Sequence, residues 1–562
     1  MIPNARRDYV KSNVPSAVTL VAVMAIAAPC FGATQGTQPQ QNAPQMTFRH
    51  AVSFAVSPPL RDLVKLPTTE RYSFDDSFEE REQVQPNFHP GRVLGPANDP
   101  VEQKSPGPPS SIAAGLSIEG VSNAGRIYPS DSNAAVGDTQ VVEWVNVSYA
   151  VYNKTTGALE AGPFDGNLLW QALGGPCFNE NIGDPIAQWD KVRHRWLLAQ
   201  DFFDINHNEA PPYYACVAIS TSADATGTYY LYQFSLGSEW PDYPKWGIWP
   251  TGYFQTTNTG AGVNVCAYNS AKLIVGDQSA EQICFPISTS DFSLLPADVD
   301  SPTPPPANQD EFFIGSYDVD QTMNHLYLYS MHVDFADPSQ STFTGSGLAD
   351  PITVPAYTPL CPSIFQACVP QNNGAYLVSL GDRLMYRFAY WNDGPGANVQ
   401  PNAVRAPSQH WYVNHVTTAA GGQGGVRWYE FRAPLHTVTL SGLSLFQSGT
   451  FAPDSNYRWV ASMAQDKKGD IALGYSLASH TVYTSIGVTG RVPTDPPGQM
   501  EAETVIVPGT GSQQFYGRWG DYSSMALDSD GCTFWYAQDY YTVPNSLTWQ
   551  TRLVSFKFSG CH

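Results

Sequence analysis

One repeated unit constrains this chain more than any other feature. A polar cluster leads into a short apolar strand, then a tight acidic turn, then an aromatic strand. The unit is clearest over residues 518–541. Arg518, Asp521, Tyr522 and Ser523 precede the apolar run 524–527. Asp528-Ser529-Asp530-Gly531 follows, and then the aromatic run 533–536. Asp-Gly between two apolar runs signals a hairpin, because both residues tolerate the positive φ of such turns.

Weaker copies lie upstream, at 130–157, 183–200, 242–250, 313–318, 381–391 and 458–476. Asp131, Asp184, Asp242, Ser316, Leu384, Met463 and Tyr522 mark them, about 65 residues apart on average. A four-stranded sheet with inserted loops fills such an interval. The expected fold class is all-β, a single β-propeller. Seven blades are favoured and six is the alternative count. Radial repetition is preferred over a sandwich because it leaves few free sheet edges. A strand near 116–121 is expected to pair with the last blade and close the ring.

Aromatic residues make up 13% of the chain and charged residues only 14%, with 46 Gly and 46 Pro, a turn-rich β composition. Arg6, Arg7 and Lys11 precede an apolar run at 18–28, and Cys30, Gly32 and Ala33 supply small residues after it. This reads as an export signal, residues 1–33, cleaved near 32 or 33. Residues 34–111 are rich in Gln, Pro and Ser and read as a disordered leader or linker. Residues 112–562 are the expected propeller domain.

Without residues 1–33 the chain carries 26 basic and 49 acidic residues, a net charge of −23. That argues against nucleic acid or an anionic membrane as partner. No further apolar run is long enough to span a bilayer. A monomer, secreted or periplasmic, is expected. Eight cysteines follow the signal, an even count that suggests disulfides in an exported chain. Pairing of sequence neighbours gives Cys177–Cys216, Cys266–Cys284, Cys361–Cys368 and Cys532–Cys561. A metal site would call for a Cys-x-x-Cys pair, and the chain has none.

Residues 528–535 look like a degenerate Asp-box, the Ser-x-Asp-x-Gly-x-Thr-Trp turn of sialidase-like propellers. Asp530 and Trp535 fit; Asp528 replaces the first Ser, and Gly531 and Thr533 each sit one place early. Residues 466–470 are a fainter copy. The region 133–558 resembles a group of exported bacterial propeller proteins without an assigned activity. The carrying residues lie in 131–137, 183–185, 242–245, 425–430 and 518–523. The sialidase resemblance implies an arginine clamp on a carboxylate, a tyrosine nucleophile and an aspartic acid/base. Gly125-Arg126-Ile127-Tyr128-Pro129 resembles the Arg-Ile-Pro motif with Tyr128 inserted. Arg427 and Arg518 are candidate clamp members, since a guanidinium binds a carboxylate through paired hydrogen bonds. Tyr522 beside Asp521 is the nucleophile candidate.

The polar clusters precede inner strands, and such positions can converge at one end of a propeller channel. The expected site has Asp521, Tyr522, Arg518 and His415 as catalytic candidates. Asp184, Asp242, Lys245, Asn133 and Arg427 are ligand-binding candidates. Asp131 and Asp184 are metal candidates, because hard carboxylate oxygens suit Ca2+. The competing role is structural: Asp, Ser and Asn before strands cap turns and satisfy backbone N–H groups. His415, flanked by Val413 and Val416, equally fits a satisfied core histidine, and the aromatic run 246–249 fits packing between blades. No G-x-S-x-G elbow, H-E-x-x-H or phosphate loop is present. The expected function is binding or hydrolysis of an extracellular glycan, with a non-catalytic scaffold for a protein partner as the alternative.

Overall fold

The computed structural model describes residues 45–63, 98–123, 127–203, 210–288, 292–316, 323–344, 351–361, 366–395, 407–514, 517–546 and 548–562. The expected signal at 1–33, and the parts of the leader at 34–44 and 64–97, lie outside the described residues.

Among the described residues, seven antiparallel blades follow one another along the chain. Blade one is built from Asn133–Val136, Gln140–Val145, Ser148–Asn153 and Leu159–Asp165. Blade two runs from Ile186–Asp190 to Tyr229–Gly237, and blade three from Asp242–Trp249 to Glu281–Ser288. Blade four begins at Phe292–Val299, blade five at Met385–Asn392 and blade six at Tyr457–Gln465. Blade seven comprises Ser524–Leu527, Phe534–Tyr540 and Gln550–Phe558. The first strand of each blade adjoins the first strand of the next, and that of blade seven adjoins that of blade one. The ring closes as expected: Ile112–Ser122 pairs antiparallel with Gln550–Phe558 as the fourth strand of blade seven.

Blade four corrects one marker. The strand Glu311–Ser316 is second in its blade, and Phe292–Val299 is the inner one. That run, Phe-Ser-Leu-Leu-Pro-Ala-Asp-Val, is wholly buried and lacks the polar cluster that signals the other units. It pairs in parallel with the inner strand of blade five at Ala297–Phe388, Asp298–Ala389 and Val299–Tyr390.

The irregular leader is corrected within the described residues. Thr47–His50 adds a fifth strand to blade three, and Ser53–Val56 adds a fifth strand to blade two. Glu102–Gln103 pairs with the outer strand of blade five. Short β-prone runs such as Ser-Phe-Ala-Val offer backbone donors and acceptors to blade edges that would otherwise stay unpaired. Leu60 and Leu63 then bury themselves beside Trp144, Phe164 and Trp170.

Apolar cores lie between successive blades rather than at the axis. Trp249, Phe312, Tyr390 and Trp411 pack together between blades three, four and five. All four disulfides pair as expected.

Candidate functional site

A backbone kink recurs where blades begin. Asp131, Asp184, Tyr243, Ser293, Val460 and Asp521 all have positive φ, between 45° and 57°. These residues turn the chain at one mouth of the ring. Neighbouring inner strands lack a shared ladder at most positions, and short polar side chains bridge them instead. Asn133 Oδ1 accepts from Ala187 N at 2.8 Å, Ser524 Oγ from Ala134 N at 2.8 Å and Ser462 Oγ from Met525 N at 2.9 Å. Asn133, a ligand candidate, therefore has an inter-blade role.

The mouth gathers side chains from blades seven, one, two, three and five. Asp131 Oδ2 accepts from Asn146 Nδ2 at 2.7 Å and from Asp184 N at 3.3 Å. Asp184 Oδ2 in turn accepts from Tyr243 N at 3.3 Å. The Tyr243 hydroxyl donates to the Asp521 carbonyl at 2.9 Å, and Arg518 Nη2 ion-pairs with Asp521 Oδ2. At the centre stands Lys245. Its ammonium lies 3.1 Å from the Tyr243 ring centroid and 3.9 Å from that of Tyr522, with the carbonyls of Pro244 and Tyr243 at 3.3 and 3.4 Å. Arg383, which the sequence did not signal, also lies over the Tyr243 ring, 4.7 Å from its centroid. Two aromatic faces and two carbonyls thus surround the buried amine.

Burial pushes the Asp131 carboxyl well up, and the nearby charges of Asp184 and Asp521 add to it. Burial pushes Lys245 well down, against the opposing pull of Asp184. Burial also holds the Tyr522 phenol well above its usual range. Tyr522 is thus a firmly protonated phenol whose hydroxyl reaches the Pro244 carbonyl at 3.5 Å. Asp131, Lys245, Asp521 and Tyr522 are buried, whereas Asp184, Asp242 and Arg518 are partly exposed and form the rim.

His415 and Arg427 stand apart, on paired strands of blade five. His415 Nε2 meets the Tyr429 hydroxyl at 2.9 Å and Nδ1 the Val416 carbonyl at 3.0 Å. Burial and the adjacent Arg427 lower its pKa to about 3, so it is neutral at ordinary pH. Arg427 is held by Asp99, Thr450 and the Pro355 carbonyl. Arg126 lies outside the described residues. Asp131 and Asp184, the Ca2+ candidates, are neighbours, but no group of three or more His, Cys, Asp or Glu side chains suited to a metal occurs among the described residues.

A second polar cluster occupies the opposite end of the inner strands. Arg387 Nε pairs with Asp298 Oδ2 at 2.6 Å and Nη2 with Asp300 Oδ2 at 2.8 Å, and Lys191 pairs with Asp300. Gln188 Nε2 donates to the Trp246 carbonyl at 2.8 Å. These residues line a cavity of about 30 Å³, room for one or two waters. The sequence signalled none of them: Gln188 and Arg387 each stand alone between apolar neighbours, and Lys191 and Asp300 lie in polar turns that look solvated.

The Asp-box-like turn follows Ser524–Leu527, at the far end of that strand from the mouth residues. Asp530 Oδ1 accepts from Cys532 N at 2.7 Å and Thr533 N at 2.8 Å, and Gly531 has φ 69°. Its fainter copy docks on it: Lys467 N donates to the Gly531 carbonyl at 2.9 Å. The two turns fasten blade six to blade seven.

No family model matches the chain, and no curated protein matches it. Solved structures do. The WD40 domain of SCAP from fission yeast aligns over 80% of this chain and 99% of its own, at 8% identity and TM-score 0.33. An exo-β-1,3-galactanase from Clostridium thermocellum aligns over 77% and 87%, at 10% identity and TM-score 0.28. An endo-1,5-α-L-arabinanase from Thermotoga petrophila aligns over 81% and 99%, at 8% identity and TM-score 0.26. The seven-bladed propeller itself rests on the strand pairing described above.

Proposed function

We propose that this is an exported β-propeller that binds carbohydrate at the mouth formed by Asp131, Asp184, Asp242, Lys245, Arg518, Asp521 and Tyr522. One observation carries the reading. Carboxylates from blades one, two and seven meet at a single mouth, and its rim presents Asp184, Asp242 and Arg518 to solvent. Carboxylate and guanidinium groups are suited to the hydroxyls of a sugar, and a carboxyl raised by burial and neighbouring carboxylates, as Asp131 is, suits acid work. Export is supported by four disulfides, which persist in oxidising compartments, and no helix of the described residues is long and apolar enough to cross a membrane.

The second reading is a non-catalytic scaffold for a protein partner. It is favoured by the inner layer of the cluster, where Asp131 and Lys245 are buried and engaged by Asn146, Asp184 and the tyrosine rings. Residues 34–562, screened by thermal shift against a glycan panel with and without Ca2+, separate the two. A native-state ligand raises the melting temperature by mass action. A sugar-specific rise that disappears in Asp184→Asn and Arg518→Ala supports the carbohydrate site, and product release under the same conditions makes it an enzyme. Absence of both binding and hydrolysis across the panel sinks the carbohydrate reading.

A further inference from the structure

Glu143 lies on the second strand of blade one and is wholly buried. Its side chain crosses to blade seven, where the ring is closed. Oε2 accepts from Val121 N at 2.8 Å and from the Tyr152 hydroxyl at 3.3 Å, and Oε1 lies 2.5 Å from Thr551 Oγ1. Val121 belongs to the closing strand Ile112–Ser122 and Thr551 to its partner Gln550–Phe558. Gly120 makes the room: a Cβ there would lie 2.5 and 2.6 Å from the two carboxyl oxygens.

Proton counting decides the state of this group. Thr551 Oγ1 is also 2.9 Å from the Val121 carbonyl. A threonine hydroxyl has one proton, yet it faces two acceptors if Glu143 is ionised. A carboxylic acid resolves the conflict. Glu143 then donates to Thr551, Thr551 donates to the Val121 carbonyl, and Oε2 keeps the Val121 N–H. The titratable groups facing Glu143 are Tyr152 of blade one and Glu119 of the closing strand. Glu119 is itself paired with Arg552 and accepts from the Tyr540 hydroxyl. Among the described residues no Lys, Arg or His forms an ion pair with Glu143.

We propose that Glu143 is a proton-dependent latch, which fastens the ring-closing strand when protonated and loosens it when ionised. Burial agrees, since it pushes this carboxyl up to about 7 from an ordinary 4.5, against the opposing hydrogen bond from Thr551. The sign follows from linkage. Between those two values the folded chain holds a proton that the unfolded chain has lost, so fastening is complete below 4.5 and is lost as pH rises through 7.

The test is hydrogen exchange of the peptide spanning 112–122 in residues 34–562, from pH 5 to 8, corrected for intrinsic rates. Glu143→Gln keeps a donor for Thr551 and an acceptor for Val121 N–H but does not ionise. Protection of 112–122 in the wild type is expected to fall, relative to this variant, by roughly tenfold to a hundredfold across that range. Identical pH profiles in the two proteins overturn the latch. Should the variant not fold, the wild type suffices. Its 112–122 protection must then fall more steeply above pH 6 than that of blade-three peptides, and parallel profiles overturn the latch equally.

Discussion

Arg427 and Asp99 form an ion pair, Nη2 to Oδ1 at 2.6 Å, with both side chains wholly buried. The pair ties the segment before the propeller to the middle of blade five. Gln103 extends the tie to blade six, its amide accepting from Met500 N at 2.8 Å and donating to the Met500 carbonyl at 3.0 Å. Asp99→Ala leaves a guanidinium buried without its counter-charge, a loss of about 3–5 kcal/mol. A chain beginning at residue 112 loses Asp99, Gln103 and the two added strands together, and is expected to be less stable still. Urea unfolding of the chains 45–562 and 112–562 checks this. Equal midpoints would show that the belt is ornamental.

Lys245 is the hub of the mouth, within electrostatic reach of the carboxylates of Asp184, Asp521 and Asp242. Lys245→Met preserves most of the buried stem but not the charge. It is expected to cost about 1–3 kcal/mol, the range for leaving buried polar partners unsatisfied. Asp521→Asn should recover part of that loss in the double variant, because the two groups share one network. A double-mutant cycle with a coupling of at least about 1 kcal/mol is expected. Strict additivity would separate the residues and remove Lys245 from the centre of the cluster.

The blades were legible because their turns and strands are local. Asp528 to Gly531 specifies its hairpin within four residues, and Cys266 meets Cys284 because they face each other across one hairpin. The mouth was legible for a related reason. Asp131, Asp184 and Asp521 occupy the same turning point in their blades, so a repeated position in sequence became one place in space. What escaped was non-local. Arg427 looks like a free cation until Asp99, 328 residues away, is placed against it. His415 shows no sign in sequence of the Tyr429 hydroxyl across the ladder. Blade four hid its inner strand because Phe292–Val299 is a run of mostly apolar residues without the polar cluster that opens the other units.

Stability should peak in mild acid. Asp201 is buried, accepts from Gln255 Nε2 at 2.9 and 2.8 Å, and is pushed up to about 8 by burial. Burial likewise pushes Asp539 up to about 7. Each holds a proton in the folded chain after the unfolded chain has lost it, so stability falls as pH rises from about 4 through these values. On the acid side, burial works against Asp454, but hydrogen bonds from Arg458 hold it below its usual range, and that contribution is lost as pH falls further. Melting temperatures from pH 3 to 9 give the curve. Asp201→Asn should flatten its alkaline limb, and an unchanged limb counts against Asp201 as a source.

Cys532 and Cys561 fasten the acidic turn of blade seven to the end of the chain. Cys532 lies one residue beyond Gly531, and both cysteines are buried. The tail they hold also carries Ser559, whose N–H donates to the Ser111 carbonyl at 3.0 Å, just before the ring-closing strand begins. Opening this bridge therefore frees two elements at once, the turn against which Lys467 docks and the end of the closing strand's partner. Replacing both cysteines by serine is expected to cost about 2–4 kcal/mol through the unfolded chain's regained freedom. The loss should appear as faster exchange at 528–533 and 550–558 before any change in blade three. Reductant should lower the melting temperature of the wild type further than that of the variant, which has one bridge fewer to lose. If the variant melts with the wild type and exchanges no faster at 528–533, the bridge adds nothing to ring closure and the strand ladder alone holds blade seven.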